Sequence, residues 1–263
     1  MSIFDPYISE IIKYAEQLQK GGSQVKHIDC AASPDQLLNG LPIKAGPQSS
    51  GGVILRSDTF VELGSPEAGS AALSLWTDNV SLIKDCRITL IGPDIPESEG
   101  ASLPFGQVLL IGGTGLDVSD HGKLEGIQHI GDQIEGYMIK SVPQKTWSRV
   151  SREAAIKGFN FEMLGKALIH IYKSAVPKLE AMEVLFITSS KQDIEPLGKI
   201  SEQIREIAYN ITKDTWKAKG YDIECFSALD CDACPDRAVC DEIKEMIKVR
   251  KKKKTSDTSA EKG

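Results

Sequence analysis

The chain has 263 residues, 41% of them hydrophobic, which is enough to bury a full core in one large domain or two small ones and excludes disorder throughout. Thirty-seven acidic residues against 31 basic give a net charge of −6, so the whole lacks the basic field of a nucleic-acid binder. No stretch approaches the roughly 18 unbroken apolar residues of a membrane span, and the opening MSIFDPYISE lacks the layout of a signal peptide; a cytoplasmic protein is expected.

Asp5-Pro6 followed by Ile8, Ile11, Ile12, Ala15 and Leu18 combines an N-cap, a proline at the first helical position and an apolar stripe at helical spacing, closed by Gly21-Gly22. An N-terminal amphipathic helix follows from that pattern. Residues 31–52 turn to Pro, Gly and Ser and read as a connection, so residues 1–52 form a helix-and-linker region. From Val53 onward, short apolar runs bounded by Gly, Pro and Asp (VILR, FVEL, ALSLW, RITLIG, QVLLIG, EGYMIK) suit strands of a mixed sheet. Ser151 with Glu153 and Ala154 opens a helix, and Phe161–Tyr172 resumes helical spacing after a break at Gly158. Glu183–Thr188 reads as a buried strand, and Ile194–Lys217 as a long helix with Ile200, Ile204, Ile207 and Ile211 on one face. The fold class expected is α+β: a mixed sheet with flanking helices over residues 53–220, then a small cysteine-rich segment at 221–249. The basic run KVRKKKK leads into a solvated, disordered tail at 250–263.

Six cysteines in a reducing compartment argue against a disulfide framework. Cys30 and Cys86 stand alone, whereas Cys225, Cys231, Cys234 and Cys240 place four thiols within reach of one loop, with a Cys-x2-Cys turn that lets two sulfurs chelate one centre. Pro235 directly after Cys234 keeps the ligand turn from becoming helical. Four sulfurs fit a [4Fe-4S] cluster or tetrahedral zinc, and the spacing leaves both open.

Gly112-Gly113-Thr114-Gly115 lacks both the dinucleotide register and a Walker Lys-Ser/Thr pair, so it reads as a glycine-rich turn between strands. Neither a hydrolase elbow nor a metal-type histidine spacing occurs. Trp147, Arg149 and Arg152 put an aromatic face beside two guanidinium groups. That combination holds a phosphorylated or adenine-containing ligand by stacking and bidentate bonds, or else it is a core tryptophan beside solvated arginines.

The phrases FVELGSPEAGSAALSLWT, RITLIGPDI, EGASLPFGQVLLIGG, KTWSRVSREAAIKGFNFEMLGKAL and EVLFIT stand here in the order and spacing of the middle domain of the CO dehydrogenase/acetyl-CoA synthase beta subunit family, which the chain resembles over roughly residues 59–220. The resemblance implies an α+β module leading into a cysteine cluster. The family's C-x2-C opening is similar to Cys231-Asp232-Ala233-Cys234 with Ala238-Val239-Cys240, which implies Cys231, Cys234 and Cys240 as cubane ligands; the family takes its fourth cysteine from further downstream, where this sequence has none, so Cys225 would have to substitute for it. It also implies a CoA site at Trp147, Arg149 and Arg152. In that family acetyl-CoA synthesis needs nickel held by a Cys-Gly-Cys tripeptide, and no Cys-Gly-Cys occurs in this sequence. The expected function is that of an iron–sulfur accessory protein in anaerobic one-carbon metabolism, serving electron transfer or scaffolding beside CO dehydrogenase, corrinoid or ferredoxin-like partners and inactive as a synthase alone. The alternatives are a contribution to synthase activity within a complex, or a zinc-stapled adaptor.

Overall fold

A computed structural model describes residues 2–30, 34–46, 53–129, 133–142, 145–218, 234, 237–243 and 245–246. It divides into two units, Met1–Arg205 and Glu206–Gly263. The first unit carries two sheets. The larger has strand order β1 (Val25–Asp29), β4 (Arg87–Ile91), β9 (Ala181–Ile187), β6 (Phe105–Gly112) and β3 (Ser70–Thr77). It is mixed: β4–β9 and β3–β6 run parallel, β1–β4 and β6–β9 antiparallel. The smaller sheet orders β5 (Ser102–Leu103), β2 (Thr59–Leu63), β8 (Lys145–Ser151) and β7 (Tyr137–Val142). The α+β class read from the sequence is the observed one.

Every residue of β6 is buried, because this strand lies inside the larger sheet and that sheet is covered on both faces. On one face lies α5 (Phe161–Ala175), set against Phe105 and Phe186 through Phe161. Its N-cap is Asn160, whose side chain accepts from Met163 N, and the turn before it uses Gly158 at φ +82°. The close approach of α5 to the sheet depends on Gly165, since a Cβ there would lie 2.6 Å from Ile88 Cδ1. On the other face lie α1 (Asp5–Lys20) and the first turns of α6 (Lys191–Ala218), which contribute Ile8, Ile11, Ile194, Leu197 and Ile200. Full burial of Ile8 and Ile11 is worth about 1.5–3 kcal/mol for each side chain.

Several details differ from the sequence reading. Asp5 is not the cap of α1: Phe4 holds that position without a side-chain bond, and Asp5 is buried with Oδ1 accepting from Thr77 Oγ1 at 2.6 Å. The run VILR is not a strand; residues 53–55 are irregular and Arg56–Asp58 form one 3-10 turn. The GGTG stretch does not join two strands. It joins β6 to α3 (Val118–His129), with Thr114 N and Oγ1 both donating to the Glu180 carboxylate. Within residues 31–52, read as a connection, the short helix α2 (Pro34–Leu37) and Ile43 pack into the core, and Ala45 bridges to Ile134. The helix expected from Ser151 is α4 (Arg152–Ile156), whose Ser151 side chain accepts from Ala154 N.

In the second unit, α6 continues to Ala218 and residues 237–243 form a further helical segment, tied by an Arg237–Asp241 ion pair. No helix among the described residues is long and apolar enough to cross a membrane.

Candidate functional site

Strand β8 brings Trp147 and Arg149 together. Alternate residues of a strand share a face, so these two side chains point one way while Ser148 and Val150 point into the core. The Arg149 guanidinium lies 4.8 Å from the Trp147 ring centroid, within cation–π range. Its Nε donates to Glu62 Oε1 at 3.0 Å across the β2–β8 pairing, and its Nη1 donates to the Ile54 carbonyl at 3.2 Å. The Arg149 and Glu62 side chains are 16% and 21% exposed, so the pair is only partly screened by water.

Arg152 is placed differently. It opens α4 and forms an exposed ion pair with Glu99 at 3.1 Å. The structure therefore unites Trp147 with Arg149 and adds Glu62, which the sequence reading missed, while Arg152 belongs to a separate surface pair. Nothing local could have identified Glu62: it becomes Arg149's neighbour only through the register that sets Glu62 opposite Arg149. The arrangement offers an indole face and a guanidinium edge with no hydrogen-bond partner among the described residues, but an anion there would also meet the Glu62 carboxylate.

Cys225 and Cys231 lie outside the described residues. Cys234 is half-buried, and its carbonyl accepts from Arg237 N, the first residue of the 237–243 segment, at 3.2 Å. Cys240 is half-buried on that segment. Among the described residues no three His, Cys, Asp or Glu side chains converge as a metal site.

Cys30 and Cys86 are neighbours rather than solitary residues: Cys30 N donates to the Cys86 carbonyl at 2.9 Å where β1 ends and β4 begins. Burial, reinforced by Asp85, pushes the Cys86 thiol up to about 11. Burial likewise raises that of Cys30. Both are therefore protonated at neutral pH, which suits core residues and not thiolate ligands. Beside them the buried Lys173 Nζ meets Asp85 Oδ1 at 2.7 Å and Cys86 Sγ at 3.7 Å. Lys173 gave no sequence signal because it stands in the last turn of α5, where a solvated lysine is ordinary. Of the histidines, His27 Nδ1 bonds Thr89 Oγ1 at 3.0 Å and His121 packs 4.2 Å from the Trp76 ring, both structural contacts.

Residues 41–193 match the profile of a family described as the CO dehydrogenase/acetyl-CoA synthase complex beta subunit. The acetyl-CoA decarbonylase/synthase complex subunit beta 1 of Methanosarcina mazei is 30% identical over 175 residues, covering 66% of this chain and 37% of that protein. The corresponding beta 1 subunit of Methanosarcina thermophila is 29% identical over the same length and shares. The subunit beta of Methanopyrus kandleri is 31% identical over 207 residues, 76% of this chain and 43% of that protein. The chain thus spans less than half the length of these curated relatives. The matched region runs from the core-packed residues after α2 to the start of α6, and so contains both sheets except β1.

Proposed function

The chain belongs to the CO dehydrogenase/acetyl-CoA synthase complex beta subunit family, and from that membership we propose that it is a cluster-bearing accessory subunit in anaerobic one-carbon metabolism. Its partners are proteins of the CO dehydrogenase, acetyl-CoA synthase or corrinoid type. The observation that carries this reading is the family match over residues 41–193, which contain both sheets except β1. Joining methyl to carbonyl needs a metal with adjacent open positions, and a cubane held by four cysteines has each iron's outward position filled. A cubane so held suits electron transfer or scaffolding.

The donor set of Cys225, Cys231, Cys234 and Cys240 suits a [4Fe-4S] cluster, with structural zinc as the chemical alternative. A bound cubane would supply one-electron transfer. The chain's own contribution is a half-buried Cys234 whose carbonyl is bonded to Arg237 N, and a helical segment that carries Cys240.

Chromatography of the anaerobic chain with a CO dehydrogenase or corrinoid protein tests the assignment. Co-elution is expected, together with no acetyl-CoA formation by the chain alone from a methyl donor, carbon monoxide and CoA, with or without added nickel. Turnover by the chain alone would overturn it. The Trp147–Arg149 pair supports a CoA contact within the same role: CoA is expected to quench tryptophan fluorescence saturably, and Arg149→Ala to weaken binding by about 1–3 kcal/mol. Unchanged quenching in Trp147→Phe would place the effect elsewhere.

A further inference from the structure

On the face of the larger sheet turned away from β8, the surface changes character along its length. Ile91, Ile187 and Val108 are buried under α1 and α6. Toward the other end of the same face the successive cross-strand rows are His27–Thr89–Leu185 and then Asp29–Arg87–Glu183–Leu110. The second half of α1 arches over this polar end without filling it. A cavity of about 310 Å³ remains, walled by Ile11, Ile12, Ala15 and Leu82 and floored by Leu110 and Glu183. A space of this size, with apolar walls and a few convergent polar groups, is the usual form of a small-molecule site.

Glu183 defines its chemistry. Lys84 N donates to Glu183 Oε2 at 3.1 Å, and among the described residues Oε1 has no hydrogen-bond partner and the carboxylate no ion-pair partner. Burial raises the Glu183 carboxyl above its ordinary range, outweighing the Lys84 backbone bond and the charges of Arg87 and Lys84. Neither cation is paired with it: Arg87 is taken by Asp29 at 2.8 Å, and Lys84 is exposed at the rim. His27 is held toward its neutral form by burial and then by Arg87 and Lys84. The charged lining residues are Glu16 and Glu183 with Lys84 and Arg87, and Arg87 is held by Asp29 behind it, so Glu183 Oε1 is the acceptor left open toward the cavity.

We propose that this cavity is a binding site for a small aliphatic ammonium compound, its cationic head on Glu183 and its hydrocarbon body against Ile11, Ile12, Ala15 and Leu82. An ammonium gives Oε1 a charge-assisted donor, while the aliphatic walls of α1 have no polar demand to satisfy.

Calorimetric titration of the full chain with 3-methylbutylammonium, 3-methylbutanol and 4-methylpentanoate separates the possibilities. The ammonium is expected to bind saturably at about millimolar Kd, the size expected for so few heavy atoms, with the alcohol about tenfold weaker and the carboxylate weaker still. Glu183→Gln, which keeps shape and the Lys84 bond, is expected to reduce ammonium affinity about tenfold, and Ile12→Trp, which fills the mouth from α1, to abolish it. The proposal is overturned by carboxylate binding as tight as ammonium, by ammonium affinity unchanged in Glu183→Gln, or by no saturation of the unmodified chain.

Discussion

The two faces of the larger sheet are covered by helices and end differently. Against α5 the sheet is closed by aromatic stacking, with Phe161 4.9 Å from Phe186 and 5.9 Å from Phe105 between ring centroids. Against α1 and α6 the contacts are aliphatic, and where α1 leaves the sheet surface the strands carry Arg87 and Glu183 instead of further isoleucines. The same five strands thus make a core on one side and a core with a polar cavity on the other. The extent of the covering helix decides which, because a polar side chain survives on a sheet only where packing stops short of it.

Truncation is expected to show that difference most strongly. Phe161→Ala removes a fully buried ring from a face with nowhere to collapse, and a loss of about 3–5 kcal/mol is expected in chemical denaturation. Ile11→Ala, equally buried but bordering the cavity, is expected to cost about 2–3 kcal/mol, because water can enter the space it leaves. Equal losses at the two positions would mean that the two faces are packed alike.

A smaller effect comes from the titrating groups, one on each face. Glu183 is raised in the folded state, so its contribution is fully present below the ordinary carboxyl range and is lost as pH rises through the raised value. Glu183→Gln is expected to gain stability over the parent between acid and neutral pH, read from melting curves. Cys86 is raised from 9.0 to about 11, so its contribution is present below pH 9 and lost as pH rises through about 11. Cys86→Ala is expected to remove that alkaline loss and leave the acid side unchanged. If both substitutions shifted the same pH window, the two groups would not be acting independently.

The sequence signals that succeeded were periodic and one-sided. α1 and α5 carry apolar stripes, and β3, β4, β6 and β9 are uninterrupted or alternating apolar runs. Those that failed have identifiable causes. β1, VKHID, is an edge strand with little burial and so has no apolar alternation. β8 reads inverted: Ser148 faces the core, satisfied by Tyr137 Oη at 3.0 Å, while Trp147 faces away from it. α3 contains Gly122 and Gly126 and presents no apolar stripe. At the candidate site the pairing of Trp147 with Arg149 was legible because i and i+2 share a strand face. Glu62, Glu183 and Lys173 were not, since each finds its partners through strand register or helix packing across tens of residues.

The cluster proposed for the chain rests on the four cysteines between 225 and 240, and metal analysis of protein purified without oxygen tests it most directly. The account predicts about four irons and four sulfides per chain with visible thiolate-to-iron absorbance, lost in Cys231→Ser and in Cys234→Ser and retained in Cys30→Ser and Cys86→Ser. One tightly held zinc without iron, or a cluster that disappears with Cys30 or Cys86, would contradict it.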